Sequence, residues 1–216
     1  MSKRILIVSQ YFWPEEFRIN DLAQTLKNKG FEVEVLTGLP NYPEGILFKG
    51  YRSRFYQIEE WNGIKIHRIK EIPRGNSGLR LALNYVSFLF FGLIHLTFKS
   101  YKNFDRVLVY QLSPPFVGFF GIFLKYKYKI KTIFYIQDLW PESISDTNSG
   151  IGIRPVLYVL DNMMRLFYSY SDSILTQSDY MKDFIVNKYN LNPEKVFSVP
   201  TTVENIFESE ELPIIQ

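Results

Sequence analysis

Thr132–Ser143 reads TIFYIQDLWPES. An apolar, β-rich run, Thr132–Ile136, stops abruptly at Gln137-Asp138-Leu139-Trp140-Pro141-Glu142. In an open parallel sheet, ligands sit just past the carboxyl ends of the strands. A carboxylate, a large aromatic ring, a rigid proline and a second carboxylate gathered at such an end suit a sugar-sized polar ligand. The same residues equally describe a turn with an Asp cap and a buried Trp.

Outward from this stretch, strand and helix patterns alternate. Ile5–Val8 is a short buried strand. Ile19–Lys29 follows at helical spacing, with Leu22, Ala23 and Leu26 on one face and Gly30 as the stop. Glu32–Thr37 alternates as a strand, and the loop after it, residues 38–45, is dense in turn residues. Tyr56–Glu60 and Ile64–Ile69 flank Trp61-Asn62-Gly63, whose Asn-Gly predicts a hairpin turn. Leu79–Tyr101 is a long apolar helix, Arg106–Tyr110 a strand and Pro115–Leu124 a second apolar helix. After the opening strand come a helix over Pro155–Tyr168, a strand over Ser173–Thr176, a Ser178-capped helix to about Tyr189 and a last strand over Val196–Val199. This order predicts an α/β fold built on a mostly parallel, doubly wound sheet.

The chain has 216 residues, enough for one large domain or two small ones. Its 46% hydrophobic content allows a substantial core, and 17% aromatic residues fill a core or sit at a membrane interface. A net charge of +3 is too mild to argue for nucleic acid. The absence of Cys excludes a disulfide framework and a thiolate metal site. The apolar run Ile5–Val8 is too short for a signal-peptide core, so the expected location is cytoplasmic.

Several chemistries are disfavoured. The turn after the first strand, Gln10–Phe17, carries no glycine, so a cofactor pyrophosphate does not approach this backbone closely. No Walker-type lysine loop, nucleophile elbow or metal-ligand cluster is visible, and no cofactor is expected. The two histidines, His67 and His95, fall inside a strand and a helix pattern and read as structural. Acid–base or orienting work falls to the carboxylates near strand ends: Glu15, Glu16, Asp138 and Glu142. Glu15 and Glu16 also suit the first turn of a helix.

Leu79–Tyr101 is borderline for a membrane span, which wants ~20 apolar residues. Spanning would separate the halves of one sheet, so two readings remain: a helix on the sheet's flank, or one dipping into a membrane interface. Phe90 and Phe91 on this helix, and Phe119 and Phe120 on the next, are candidate membrane contacts. Lys125, Lys127 and Lys129 follow, interleaved with tyrosines, and would attract anionic lipid.

PEEFRIND (Pro14–Asp21), LTGLPNYPEG (Leu36–Gly45), LNYVSF (Leu83–Phe88), SPPFVG (Ser113–Gly118), QDLWPES (Gln137–Ser143) and PTTVE (Pro200–Glu204) recur in a shared order and spacing. In this the chain resembles retaining GT-B glycosyltransferases of family 4. The likeness is closest to the branch that adds N-acetylated deoxyhexosamines, such as N-acetylfucosamine, in bacterial O-antigen and capsule assembly. The resemblance implies a Rossmann-like, acceptor-binding N-terminal domain over residues 1–207. Residues 208–216 would begin a connector, and the donor-binding C-terminal domain would lie outside this sequence. It implies transfer of a sugar from a nucleotide diphosphate donor to a polyprenyl-diphosphate-linked saccharide, at the cytoplasmic face of a bacterial membrane. The alternative is a non-catalytic, membrane-docked subunit of a split glycosyltransferase, with a separate polypeptide supplying the donor domain. Asp138 and Gln137 would lie at the cleft, where relatives often place a His-Asp or Arg-Asp pair. Gln137 cannot act as a base, so Asp138 would orient the acceptor hydroxyl. Glu15, Glu16, Arg18, Asn41, Tyr42, Trp140 and Glu142 would complete the acceptor side. Lys49, Arg52 and Arg54 would meet an acceptor diphosphate or form a solvated face.

Overall fold

The structure is a computed structural model that describes residues 2–145 and 154–200. The expected connector, and all of PTTVE beyond Pro200, lie outside the described residues.

One eight-stranded sheet runs through the molecule in the order β3-β4-β2-β1-β5-β6-β7-β8. Its strands are β1 (Arg4–Val8), β2 (Glu32–Thr37), β3 (Tyr56–Trp61), β4 (Ile64–Ile69), β5 (Arg106–Gln111), β6 (Lys131–Ile136), β7 (Ser173–Thr176) and β8 (Val196–Ser198). All pairings are parallel except β3 with β4. That exception is the hairpin expected at Asn62-Gly63, where both residues adopt positive φ (48° and 71°), as a tight two-residue turn requires. The central strands are continuous apolar runs because both faces are covered: in β1, Leu6, Ile7 and Val8 are all fully buried.

The helices are α1 (Arg18–Asn28), α2 (Gly78–Phe98), α3 (Gly118–Tyr128, entered through a short 3₁₀ turn at Pro115–Val117), α4 (Glu142–Ser145), α5 (Arg154–Tyr170) and α6 (Asp179–Tyr189). From β1 the chain steps through α1 to β2, and then by way of the β3 hairpin to β4. It returns along α2 to β5 and steps away through β6, β7 and β8. Right-handed crossovers in opposite directions put their helices on opposite faces. Ile19 and Ala23 of α1 accordingly pack with Ile5, Ile7, Val33 and Val35 on one face. On the other face Phe88 and Leu96 of α2, Phe120 and Leu124 of α3, and Met163, Met164 and Phe167 of α5 form the larger core. The direction of winding reverses between β1 and β5, and this switch point lies over the carboxyl ends of the strands.

α2 has an unusual orientation. It is long and apolar enough to cross a membrane by length and composition, yet it joins β4 to β5 of one sheet and therefore lies on that sheet's flank. Its polar residues Asn84, Ser87 and His95 are buried, while Leu79, Leu83, Val86, Phe90 and Phe98 are exposed. The helix is partly inverted: its polar stripe faces inward beside Phe88 and Leu96, and part of its apolar surface faces out.

The structure corrects one aromatic expectation. Phe120 is not a membrane contact: it is fully buried, with its ring 5.2 Å from that of Phe88 across the α2–α3 contact. Phe119 is half-buried, edge-on to Phe167 at 4.9 Å. Phe120→Ala is expected to lower the free energy of unfolding by about 3–5 kcal/mol in urea titrations, the cost of a buried phenyl cavity. Stability within about 0.5 kcal/mol of wild type, as for a surface site, would put Phe120 outside the core.

Candidate functional site

The rim at the switch point carries two polar clusters, one on each side of β1. The first lies over β1, β2 and β4. Its centre is Glu71, two residues past β4 and fully buried. Asn41 Nδ2 donates to Glu71 Oε1 at 2.7 Å and Gln10 Nε2 to Oε2 at 3.0 Å. Gln10 Nε2 also donates to Asn84 Oδ1 at 2.8 Å, and Asn84 Nδ2 donates to the Ile72 carbonyl at 2.7 Å. The loop after β1, the loop after β2 and helix α2 therefore all meet one carboxyl group. Gly38 makes room for it, since a Cβ there would stand 2.7 Å from the Glu71 carboxyl atoms.

Glu15 holds the same loop from the other side. Its Oε1 accepts the backbone N–H groups of Asn41 and Tyr42, both at 2.8 Å, and its Oε2 that of Phe12 at 3.3 Å. Burial pushes the Glu15 carboxyl up to about 7, although these N–H donors and the Arg68 charge pull it down. Burial and the neighbouring Glu15 hold Glu71 well above the ordinary carboxylate range, although the hydrogen bonds from Gln10 and Asn41 pull it down. Arg68, also fully buried, donates to the Gly38 carbonyl at 2.8 Å and to that of Trp13, and pairs with Glu59.

The second cluster lies over β5, β6 and β7. Asp138 follows β6 and is half-buried. Its Oδ2 accepts the Ser113 hydroxyl at 2.7 Å, and Ser113 Oγ accepts the Trp140 indole N–H at 3.2 Å. Oδ1 has no hydrogen-bond partner among the described residues, which leaves one carboxylate oxygen for a ligand hydroxyl. Gln137 Oε1 accepts from Tyr110 Oη at 2.9 Å and from Gln177 Nε2 at 2.7 Å. This fixes the carboxamide beside Asp138.

The sequence-predicted residues thus separate. Asp138 and Gln137 stand at the rim. Tyr42 is partly exposed there, packed on Phe17 and Tyr11 with ring centroids 5.2 and 5.6 Å away. Glu16 and Arg18 are exposed at the start of α1, where Arg18 lies 3.7 Å from Asp21. Glu15 and Asn41 are buried and act on the loop rather than on a ligand directly. Trp140 is buried, its ring part of the core and its indole N–H donated to Ser113 beside Asp138. Glu142 pairs with Lys188, which also pairs with Asp161. Among the basic candidates, Lys125 is tied to Asp172 at 2.9 Å and to the Tyr170 carbonyl at 2.7 Å. Lys127 caps α2 through the Leu96 and Thr97 carbonyls, both at 2.9 Å. Lys129 remains exposed.

Gln10, Glu71 and Asn84 were not singled out from the sequence as site residues. Gln10 and Glu71 each lie just beyond an apolar strand run, the same position that marked Asp138. Among the described residues no group of acidic and histidine side chains is arranged to hold a metal ion.

In the comparison to known sequences, residues 16–202 match the glycosyl transferase 4-like domain. The chain belongs to that family. No curated protein matches it in sequence. Its fold is similar to an α,α-trehalose-phosphate synthase (UDP-forming) from Burkholderia vietnamiensis, with TM-score 0.55, 11% identity, and coverage of 93% of this chain and 47% of that one. It is also similar to the Burkholderia xenovorans synthase in complex with glucose-6-phosphate, with TM-score 0.51, 12% identity, and coverage of 91% and 49%. The calicheamicin glycosyltransferase CalG4 gives TM-score 0.50, 12% identity, and coverage of 94% and 53%. The chain spans about half the length of these structures, and its sheet is one Rossmann-like unit of the GT-B architecture.

The Glu15 environment has a pH signature. The folded state holds this proton more tightly than an unfolded carboxyl titrating near 4.5. Its contribution to stability is therefore fully present below that value and lost as pH rises through about 7. Glu15→Gln removes the titration. Between about pH 4 and about pH 8 the stability of wild type relative to this variant is expected to fall by about 3 kcal/mol in urea titrations. Parallel pH profiles would show that Glu15 titrates as an ordinary carboxylate.

Proposed function

We propose that this chain is the acceptor-binding half of a retaining glycosyltransferase of bacterial surface-polysaccharide synthesis, of the N-acetylfucosamine-transferase-like branch that serves O-antigen and capsule. The donor is a nucleotide diphosphate sugar held on a second Rossmann-like unit, carried by further residues or by another polypeptide. The acceptor is a polyprenyl-diphosphate-linked saccharide at the cytoplasmic face of the membrane. The observation that carries the lipid-linked part is the partly inverted α2, which turns apolar side chains outward from a flank that begins at the rim. Exposed apolar patches of this kind mark interaction surfaces.

In this reading Asp138 Oδ1 accepts a hydrogen bond from the attacking hydroxyl of the acceptor and sets its direction. The Ser113 bond to Oδ2 fixes the carboxylate, and Gln137, locked by Tyr110 and Gln177, sits beside it without taking a proton. The membrane face consists of the outward side chains of α2, Phe90 included, with Val156 and Val159 of α5 on the same side of the sheet.

In an enzyme carrying both units, Asp138→Ala is expected to cut turnover by more than about tenfold, measured as sugar transferred from nucleotide sugar to lipid-linked saccharide. Near-wild-type turnover would remove Asp138 from the site. The chain by itself is expected to give no robust turnover in the same assay. It is expected to float with anionic liposomes at low salt, and Phe90→Asp to reduce flotation. Retention in the soluble fraction would end the membrane assignment.

A further inference from the structure

Where the loops after β2 and β4 meet the start of α2 lies an open cavity of about 530 Å³, lined by Tyr42, Pro43, Arg74, Asn76, Ser77 and Leu81 among others. Its lining is mostly polar, and its one charged side chain is Arg74. The Arg74 backbone N–H is held by Asn41 Oδ1 at 2.9 Å, so the Glu15–Glu71 network fixes this residue in place. The half-buried guanidinium lies 5.1 Å over the Tyr42 ring. It pairs with no carboxylate among the described residues. The phenols of Tyr11 and Tyr85 lie within reach of its charge. A guanidinium that lines a cavity and is paired with no carboxylate among the described residues presents a fork that matches phosphate oxygens.

A second, independent feature starts at this cavity. Leu79, Leu83, Val86 and Phe90 recur along α2 at helical spacing, exposed by 73%, 41%, 56% and 57%. Over these positions the helix rises roughly 17 Å. The cavity supplies a cation and polar groups, and the stripe supplies a continuous apolar track leading away from it. A free phosphate or a nucleotide would use the first feature and leave the second empty. A neutral lipid would do the reverse.

We propose that the Arg74 cavity binds the phosphoryl head of a lipid phosphate or diphosphate, whose hydrocarbon chain lies along the outward stripe of α2. This rests on the reading above that the acceptor is lipid-linked, and it assigns that acceptor's head and tail to separate residues. The exposed Lys49, Arg52 and Arg54 are not needed for the head group.

The test is equilibrium binding to the chain by titration calorimetry with farnesyl diphosphate, inorganic diphosphate and vesicles of phosphatidylglycerol and phosphatidylcholine. Farnesyl diphosphate is expected to bind at least about tenfold more tightly than inorganic diphosphate. Arg74→Gln, whose stem retains packing on Tyr42, is expected to weaken both by about tenfold or more. Leu83→Asp is expected to erase the advantage of farnesyl diphosphate and leave inorganic diphosphate unchanged. Lys129→Ala is expected to leave both unchanged. Unchanged farnesyl diphosphate affinity in Arg74→Gln overturns the site, as does an equal loss in Lys129→Ala. So does an Arg74 effect confined to vesicles, which would assign the guanidinium to bulk phospholipid. Should Arg74→Gln fail to fold, Leu83→Asp decides: an intact preference for farnesyl diphosphate overturns the proposal. Binding through Arg74 without sugar transfer in a two-unit enzyme would leave the site and remove the proposed reaction. Transfer with an unchanged acceptor KM in Arg74→Gln would do the opposite.

Discussion

Glu71 is the constraint on which the rim depends. A carboxyl with no solvent exposure must have its oxygens hydrogen-bonded, because an unpaired buried polar group carries the full cost of desolvation. Here the donors come from Asn41 after β2 and Gln10 after β1, and Asn84 of α2 is drawn in behind Gln10. Parallel strands share no hairpin turns, so nothing local fixes the relative positions of their exit loops. One buried acid supplies that fixing. It also explains the bare backbone at Gly38, which passes too close to the carboxyl for any side chain. Because Glu71 is buried and its side-chain donors are carboxamides, ionic strength has little hold on the network.

The same network dictates the orientation of α2. A helix laid over an apolar sheet normally turns its apolar side inward. The first half of α2 instead meets a polar loop, and the residues that satisfy that loop are Asn84 and Ser87, the latter accepting the Ile72 N–H at 2.8 Å. Farther along, His95 bonds the Tyr101 hydroxyl at 2.8 Å, next to a Glu34–His67–Tyr56 chain at the sheet edge. With its polar stripe committed inward beside Phe88 and Leu96, much of the apolar surface of the helix, Leu79, Leu83, Val86 and Phe90 included, faces out. The exposed hydrophobic surface is thus a consequence of how the rim is stabilised, and it lies next to that rim.

The sheet was legible because its signals are local. Continuous apolar runs such as Ile5–Val8 and the Asn62-Gly63 turn each require only neighbouring residues, and the observed strands fall within a residue or so of the expected ones. The rim was legible only in part. Asp138 stands out because its strand ends sharply and its carboxylate remains half-open. Glu71 obeys the same positional rule, but its importance comes from partners 61 and 30 residues away, a distance no local pattern reports. Trp140 was open in the sequence to two readings, a sugar platform or a buried ring, for the converse reason. A ring beside a carboxylate looks like a sugar platform, yet Ser113 from a neighbouring strand end claims its N–H and the core claims its faces. On α2 the polar stripe was visible, but its direction was not. Periodicity identifies a face without saying whether the protein or the solvent lies against it.

The two clusters are unlike in a way that divides their labour. Four strand spacings separate the ends of β4 and β6, roughly 19 Å across the rim. On the β4 side the carboxyls are buried and fully engaged with backbone and carboxamide donors, so they hold geometry and do not meet a substrate. On the β6 side Asp138 is half-open, with one oxygen tied to Ser113 and one facing outward. Under the proposed reading, an acceptor fixed at the first side and reacting at the second must bridge the intervening rim. A short saccharide spans such a gap, and a single hydroxyl-bearing head group does not. Within that proposal, the spacing of the strands calls for an acceptor that already carries sugar, with its anchor and its reactive hydroxyl held by separate walls of one sheet.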